Sequence, residues 1–244
     1  ADEAVCIGKG PSSDSYLRID RIISAAEMTD AEAIHPGYGF LAENAHFAEV
    51  CRDCHIEFIG PSPEAMGRLG DKISCKRLAL AAGTPVFPGT DGEIEELDTA
   101  IEVAAEIGYP VIVKATAGGG GKGMRVAHNV AALRTAVTAA QQEAIASFGN
   151  GAVYLEKFLD NARHVEVQVL GDKHGNAIHL FNRDCTSQRR HQKLIEEGPA
   201  PGVDPAIRDS VCESAAELIR TAKYSGAATV EFLMNEKQEF FMLE

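Results

Sequence analysis

Four consecutive glycines, Gly118 to Gly121, separate two short runs with strand character, Val111 to Ala115 and Met124 to Ala127. Glycine adds backbone freedom and packs no side chain, so such a run weakens a strand pair unless a ligand justifies it. Glycines let backbone N–H groups approach phosphate closely, and here Lys114 on the entering strand and Lys122 in the loop supply positive charge. Two phosphate-loop patterns fail. Gly118-x-Gly120-x-x-Gly123 has the dinucleotide spacing, but that fingerprint opens a helix, whereas Met124-Arg125-Val126-Ala127 reads as a strand. The nucleoside-triphosphatase loop needs Lys-Ser/Thr where Met124 stands. What fits is a hairpin that covers phosphates as a kinase lid does. A plain surface hairpin is the alternative.

Around this feature the chain alternates. Asp2 to Gly8 reads as a strand, Ser12 to Met28 as a helix with Ser12 to Asp14 as caps, Ala31 to Gly37 as a strand, Leu41 to Cys54 as a helix, and Ile56 to Gly60 as a strand. That order implies a parallel α/β unit. After Gly60-Pro61-Ser62-Pro63, a proline-free stretch of mostly helix-forming residues runs from Glu64 to Ala82. A helix from Ile94 to Ile107 follows, capped by Gly108. Beyond the glycines come a helix from Ala131 to Phe148, strands at 153–159, 164–172 and 176–183, a helix from Pro205 to Lys223, and a closing hairpin. The 244 residues suffice for a sizeable core in one large or two smaller domains.

A formal charge of −13 makes a nucleic-acid backbone a poor partner, while local basic clusters can still take small anions. No apolar run reaches the ~20 residues of a membrane helix, and the first residues lack a secretory pattern. The expectation is therefore a cytoplasmic protein, or a mitochondrial or plastid one in a eukaryote, with no membrane partner. Six cysteines at 6, 51, 54, 75, 185 and 212 follow no disulfide framework. Cys51-Arg-Asp-Cys54-His55 matches a haem-attachment pattern, but Phe47, Val50, Cys51 and Cys54 also fall at helical spacing, which makes packing the better reading. Zinc lacks a second ligand pair.

Three further patterns carry chemistry. In the run from His164 to Val169 a two-residue period puts His164, Glu166 and Gln168 on one face and Val165, Val167 and Val169 on the other, suggesting a cleft wall. Arg183 to Lys193 concentrates four cations and His191 in an acidic chain; Cys185 within it reads as structural. In the closing hairpin, a four-residue turn from Asn235 to Gln238 would set Met234 against Glu239. Glu231 and Glu244 would then share a face with Cβ atoms roughly 7–8 Å apart, able to share a cation such as Mg²⁺. An odd turn would separate them.

The runs from His35 to Asn44, Gly70 to Lys72, Pro110 to Arg125, Tyr154 to Leu159, Arg163 to Asp172, Asn182 to Lys193 and Val230 to Leu233 resemble the biotin carboxylase component of biotin-dependent carboxylases such as acetyl-CoA carboxylase of fatty acid biosynthesis. The resemblance spans essentially the whole chain. It implies an α/β (α+β) fold: a partial Rossmann-like N-terminal domain at 1–68 followed by an ATP-grasp domain at 69–244, with a glycine-rich lid at about 86–158. It implies a ligase in which ATP phosphorylates bicarbonate to carboxyphosphate, whose CO₂ passes to biotin on a biotin carboxyl carrier protein, alongside a carboxyltransferase component and in a homodimer. By motif position, Lys72, Lys114, Gly120 and Gly121 would contact ATP phosphates. Glu156, Lys157, Phe158, Leu159 and His164 would hold adenine and ribose, with His191 also facing the nucleotide. Lys193 would be catalytic and bind bicarbonate, and Glu231 and Glu244 would ligate Mg²⁺ or Mn²⁺.

The departures matter too. The family's segment after the metal-binding glutamate, which supplies another metal ligand, a bicarbonate-binding arginine and a base, has no counterpart here, nor do its opening strand and biotin-holding segment. The expectation is a fragment with little carboxylase activity by itself. Lys122 stands where relatives carry Arg, which preserves the charge. A non-catalytic nucleotide-binding or interaction module is the competing reading, and the resemblance does not specify the final carboxyl acceptor.

Overall fold

A computed structural model of the chain describes residues 2–94, 96–116, 123–189 and 192–244. The first unit is the alternating pattern in shortened form. Helix α1 (Ile19–Met28), strand β1 (Ala33–Ile34), helix α2 (Ala45–Asp53) and strand β2 (Glu57–Phe58) follow in order, with β1 and β2 parallel. Asn44 caps α2 by accepting from the Phe47 N–H at 2.8 Å, and α2 turns Phe47 and Cys51 into a small core with Ile23, Leu41 and Ile56. Cys51 thus packs, as its spacing indicated.

Two expectations for this unit are corrected. Asp2 to Gly8 forms no strand: it pairs with no other strand among the described residues, and Val5 stays 46% exposed. A strand without a neighbour leaves its backbone groups unpaired, so its β pattern has nothing to act on. The first helix starts at Ile19 rather than Ser12. Ser12–Asp14 makes one 3-10 turn, and Arg18 remains extended with its guanidinium on Asp20 at 2.9 and 2.6 Å.

The stretch read as one helical run divides into α3 (Pro63–Gly70) and α4 (Lys72–Ala81). Asp71 is extended and its carboxylate accepts from the Ser74 N–H at 2.7 Å, so it starts a new helix. This break places Lys72 in the first turn of α4. Helix α5 (Leu97–Ile107) starts three residues later than expected, because the Ile94 N–H is bound to the Val153 carbonyl at 2.7 Å.

Strands β3 (Val111–Ala115) and β4 (Met124–Ala127), helix α6 (Val130–Phe148) and strand β5 (Val153–Lys157) build a sheet of order β4-β3-β5, antiparallel throughout. Val111, Val113, Val153 and Leu155 pack against α5 and α6. Strands β6 (Arg163–Gly171) and β7 (Ala177–Asp184), a short β8 (Gln188–Arg189) and β9 (Gln192–Lys193) pair, helix α7 (Pro205–Ala222), and strands β10 (Gly226–Met234) and β11 (Phe240–Met242) complete the chain. The second sheet has the order β11-β10-β6-β7. Val165, Val167 and Val169 face a core with Val211, Ala215 and Ile219 of α7. Among the described residues no helix is long and apolar enough to cross a membrane.

A strap from Thr84 to Thr90 joins the sheets. Met242 N–H donates to the Pro85 carbonyl at 2.8 Å, Lys157 N–H to that of Pro88 at 2.8 Å, and Thr90 N–H to that of Leu155 at 2.9 Å.

Candidate functional site

Lysines gather where the strap passes between the sheets. Lys114 on β3 faces the same side as Glu156 on β5, and its ammonium donates to that carboxylate at 2.7 Å with Nζ 5.7 Å from the ring centre of Phe87 in the strap. Lys72 donates to the Ala115 carbonyl at 3.4 Å. Lys76, one turn along α4, lies 3.4 Å from the second Glu156 oxygen. Burial lowers the Lys72 pKa and nearby Lys114 adds to this, while Glu244 and Glu156 oppose it. Three lysines gather around the Glu156 carboxylate, with Glu244 acting on Lys72 as well, which leaves local excess positive charge in a protein of charge −13 at the end of the strand that enters the glycine run. The place of Lys114 on the strand before the glycines pointed to it, and the resemblance pointed to Lys72; Lys76 was missed, although residues four apart share a helix face and Lys72 was the guide to it.

The polar row of β6 forms the second wall. Glu166, 3% exposed, pairs with Arg183 and Lys193, the Arg183 Nε lying 2.7 Å away. Lys193 also donates to Glu231 of β10 at 2.6 Å. The His164 Nε2 lies 2.9 Å from the other Glu231 oxygen, and the Gln188 amide sits 2.7 Å from His164 Nδ1. With Nδ1 accepting from Gln188, the ring proton belongs on Nε2, a buried nitrogen close to Glu231 in distance that makes no hydrogen bond to it or to any other described residue. Burial alone would raise the Glu231 pKa, but His164 and Lys193 hold it at about 2. Burial would likewise lower that of Lys193, yet its two carboxylates keep it above the usual lysine value. The sequence placed Glu166 on the polar face of β6 and Arg183 in the basic run without giving either a role; Gln188 was not singled out.

The hairpin corrects one premise. Met234 pairs with Phe240, not Glu239, because the loop is an odd one of Glu236 to Gln238: Gln238 is left-handed (φ 62°), and the Asn235 carboxamide accepts from the N–H groups of Lys237 and Glu239, both at 3.0 Å. A regular ladder would then set Glu231 and Glu244 on opposite faces. The ladder is not regular past Met242. Leu243 and Glu244 both donate to the Glu231 carbonyl, at 2.7 and 3.3 Å, and Glu231 N–H returns a bond to the Glu244 carbonyl at 2.7 Å. Two residues oppose one, the pattern of a β-bulge. Glu244 therefore sits across from Glu231, and its charge acts on Lys72 and on Cys75 and Tyr154 beside it.

Lys157 donates from Nζ to the carbonyls of Gly108 and Tyr109, at 3.0 and 3.1 Å, and Phe158 N–H donates to the Pro110 carbonyl at 3.1 Å. β5 ends at Lys157, so Phe158 and half-buried Leu159 form the connection to β6. Gly120, Gly121 and His191 lie outside the described residues, as does Lys122. Glu166, Cys185 and Glu196 bring possible metal donors within 4.8 Å of one another, but Arg183 and Lys193 already neutralise Glu166. Burial pushes the Cys185 thiol up to about 12, which keeps it protonated and unreactive at neutral pH.

Residues 71–244 match the family model for the carbamoyl-phosphate synthase L chain, ATP binding domain, and residues 1–66 match that for the biotin carboxylase, N-terminal domain. A biotin carboxylase of Nostoc sp. is 50% identical over 244 residues, covering 100% of this chain and 55% of its own length. A crystal structure of the Campylobacter jejuni biotin carboxylase–β-γ-ATP complex superposes with a TM-score of 0.95 at 51% identity, over 100% of this chain and 55% of that one. The biotin carboxylase domain of Hydrogenobacter thermophilus 2-oxoglutarate carboxylase, a dimer with MgADP, ADP and bicarbonate, gives 0.92 at 45% identity, over 100% and 54%. The chain spans about half the length of the curated relatives it matches.

Proposed function

This chain belongs to the biotin carboxylase family, with that family's N-terminal domain and ATP-binding domain in succession, and on that premise we propose that it binds MgATP and bicarbonate for the ATP-dependent carboxylation of biotin. The observation that carries the reading is the convergence of Lys72, Lys76 and Lys114 around Glu156, where β3 leads into the glycine run. A bicarbonate oxygen attacks the γ-phosphorus and the bond to ADP breaks; the carboxyphosphate formed then cleaves to inorganic phosphate and the CO₂ passed to biotin on a carrier protein. Phosphoryl transfer of this kind needs positioning and charge stabilisation more than covalent help.

Each wall then has a task. Lys72 and Lys114, with the N–H groups of Gly120 and Gly121, hold phosphate oxygens; the backbone of Glu156 to Leu159, with His164 and His191, serves the nucleoside, while the Glu156 carboxylate pairs with Lys76 and Lys114. Lys193 binds bicarbonate, with Glu166 fixing its ammonium at the second wall. The oxygen donors of Glu231 and Glu244 suit Mg²⁺ or Mn²⁺: Glu231 is ionised, and the bulge brings Glu244 opposite it. A bound cation would neutralise charge on the transferring phosphoryl group. The division into an N-terminal domain at 1–68 and an ATP-grasp domain at 69–244, with a lid at about 86–158, follows the same reading. So do a homodimer, a carboxyl carrier protein and a carboxyltransferase as partners, with a cytoplasmic location or an organellar one in a eukaryote.

Calorimetric titration of MgATP into the purified chain tests the proposal, with Lys114→Ala as the control. Saturable binding that the variant loses is the expected result. A folded wild-type chain that takes up no MgATP would refute the assignment of this cleft.

A further inference from the structure

Glu156 is buried, with its side chain 8% exposed, and each of its oxygens faces a lysine. Lys114 on β3 takes one at 2.7 Å and Lys76 on α4 the other at 3.4 Å. The Lys76 side chain is 14% exposed, and its ammonium is also held 3.5 Å from the Thr90 carbonyl in the strap. The two lysines have different prospects. Lys114 lies on the strand that enters the glycine run, where phosphates are expected. Lys76 is tied between Glu156 and the strap.

A buried carboxylate that loses its only cation is costly, which is why removing one member of a buried pair destabilises far more than the pair is worth. When Lys114 turns to a phosphate, Glu156 would be left in that condition were Lys76 absent. We infer that Lys76 is a positioning residue that keeps Glu156 paired while Lys114 engages the nucleotide, and so controls how readily Lys114 is released to the phosphates. The inference rests on the phosphate-binding role proposed for Lys114. It assigns Lys76 no contact with ATP; its effect travels through Glu156 and depends on the ligand carrying phosphate.

Adenosine and MgATP are therefore the two probes, titrated into the wild type, Lys76→Met and Lys76→Arg and followed by ligand NMR and calorimetry. Lys76→Met is expected to weaken MgATP binding on the order of tenfold and to leave adenosine binding unchanged, because adenosine makes no demand on Lys114. Lys76→Arg keeps the charge and is expected to restore MgATP affinity. Unchanged MgATP affinity in Lys76→Met would overturn the inference, as would an equal loss for both ligands, since that marks a merely structural role. A folded wild type that binds no MgATP removes the premise about Lys114 and the inference with it, a result distinct from wild-type binding that Lys76→Met matches. If Lys76→Met does not fold, Lys76→Gln carries the same expectation.

Discussion

Glu166 shows how one side chain organises a wall. It lies in β6 between inward-facing Val165 and Val167, and its carboxylate is shared by Arg183 and Lys193. Glu166→Gln keeps the shape and removes the charge, so both cations lose their shared partner. An expected loss of about 2 kcal/mol in urea unfolding, below the full range for buried pairs, follows because both cations still reach water. Lys193 should also lose its fixed position. Burial would raise the pKa of Glu166 and Asp184, but Lys193 and Arg183 for the first, and the Thr186 N–H and Arg163 for the second, hold both below their ordinary values of 4.5 and 3.8. The folded state thus binds these protons less readily than the unfolded chain. Their stabilisation is fully present above those values and fades as the pH falls through and below them. Unfolding midpoints measured downward from neutral pH should fall in that window, and less steeply in Glu166→Gln.

At the scale of elements, the strap decides whether two sheets make one cleft. Phe87 is buried, stacks on Phe241 of β11 and lies under Lys114, so it touches both sheets at the site. Gly89 lets this happen: a Cβ there would meet the Leu155 carbonyl oxygen at 2.1 Å, and that oxygen belongs to a strand paired to β3. Gly89→Ala should therefore push the strap off β5, costing about 2 kcal/mol and weakening any phosphate ligand held by Lys114. Thermal unfolding and MgATP titration of the variant check both effects, and a variant with wild-type values in both would show that the strap yields without consequence. The bulge after Met242 is the same kind of device. It moves Glu244 opposite Glu231 although the loop has odd length.

At the scale of the molecule, three cores of unequal size are joined by the strap with Phe87 between the two sheets, and by polar contacts at the N-terminal unit. The N-terminal unit has its own small core and meets the rest through Arg68, which donates to the Ala222 carbonyl at 2.7 Å, through Ser225 on the Gly60 carbonyl, and through the Glu57–Lys173 ion pair. Two-residue strands and a small core predict local opening at lower free energy than the large sheet. Hydrogen exchange should thus be at least ~10-fold faster in α1 and α2 than in β6. Arg68→Ala should widen that gap without altering β6; equal protection in α2 and β6 would count against independent opening.

What the sequence determined by itself were properties carried by local pattern. The β period of His164 to Val169, the helix expected from Ala131 to Phe148 and found one residue longer as α6, and the strands on either side of the glycines all depend on neighbours within a few residues, and all appear where expected. The motif residues of the site could likewise be named, because short strings of charged and glycine residues carry them. Tertiary structure alone decided which of those residues meet. Whether Asp2 to Gly8 became a strand depended on a partner strand, and the true turn length and the bulge after Met242 depended on pairing with β10 and on the Pro85 carbonyl. The ring of Lys76, Lys114 and Glu156 joins positions up to 80 residues apart (156 − 76 = 80). A charge pair across that separation leaves no periodic trace in the chain, since its energy exists only once α4, the strap and the sheet have packed together.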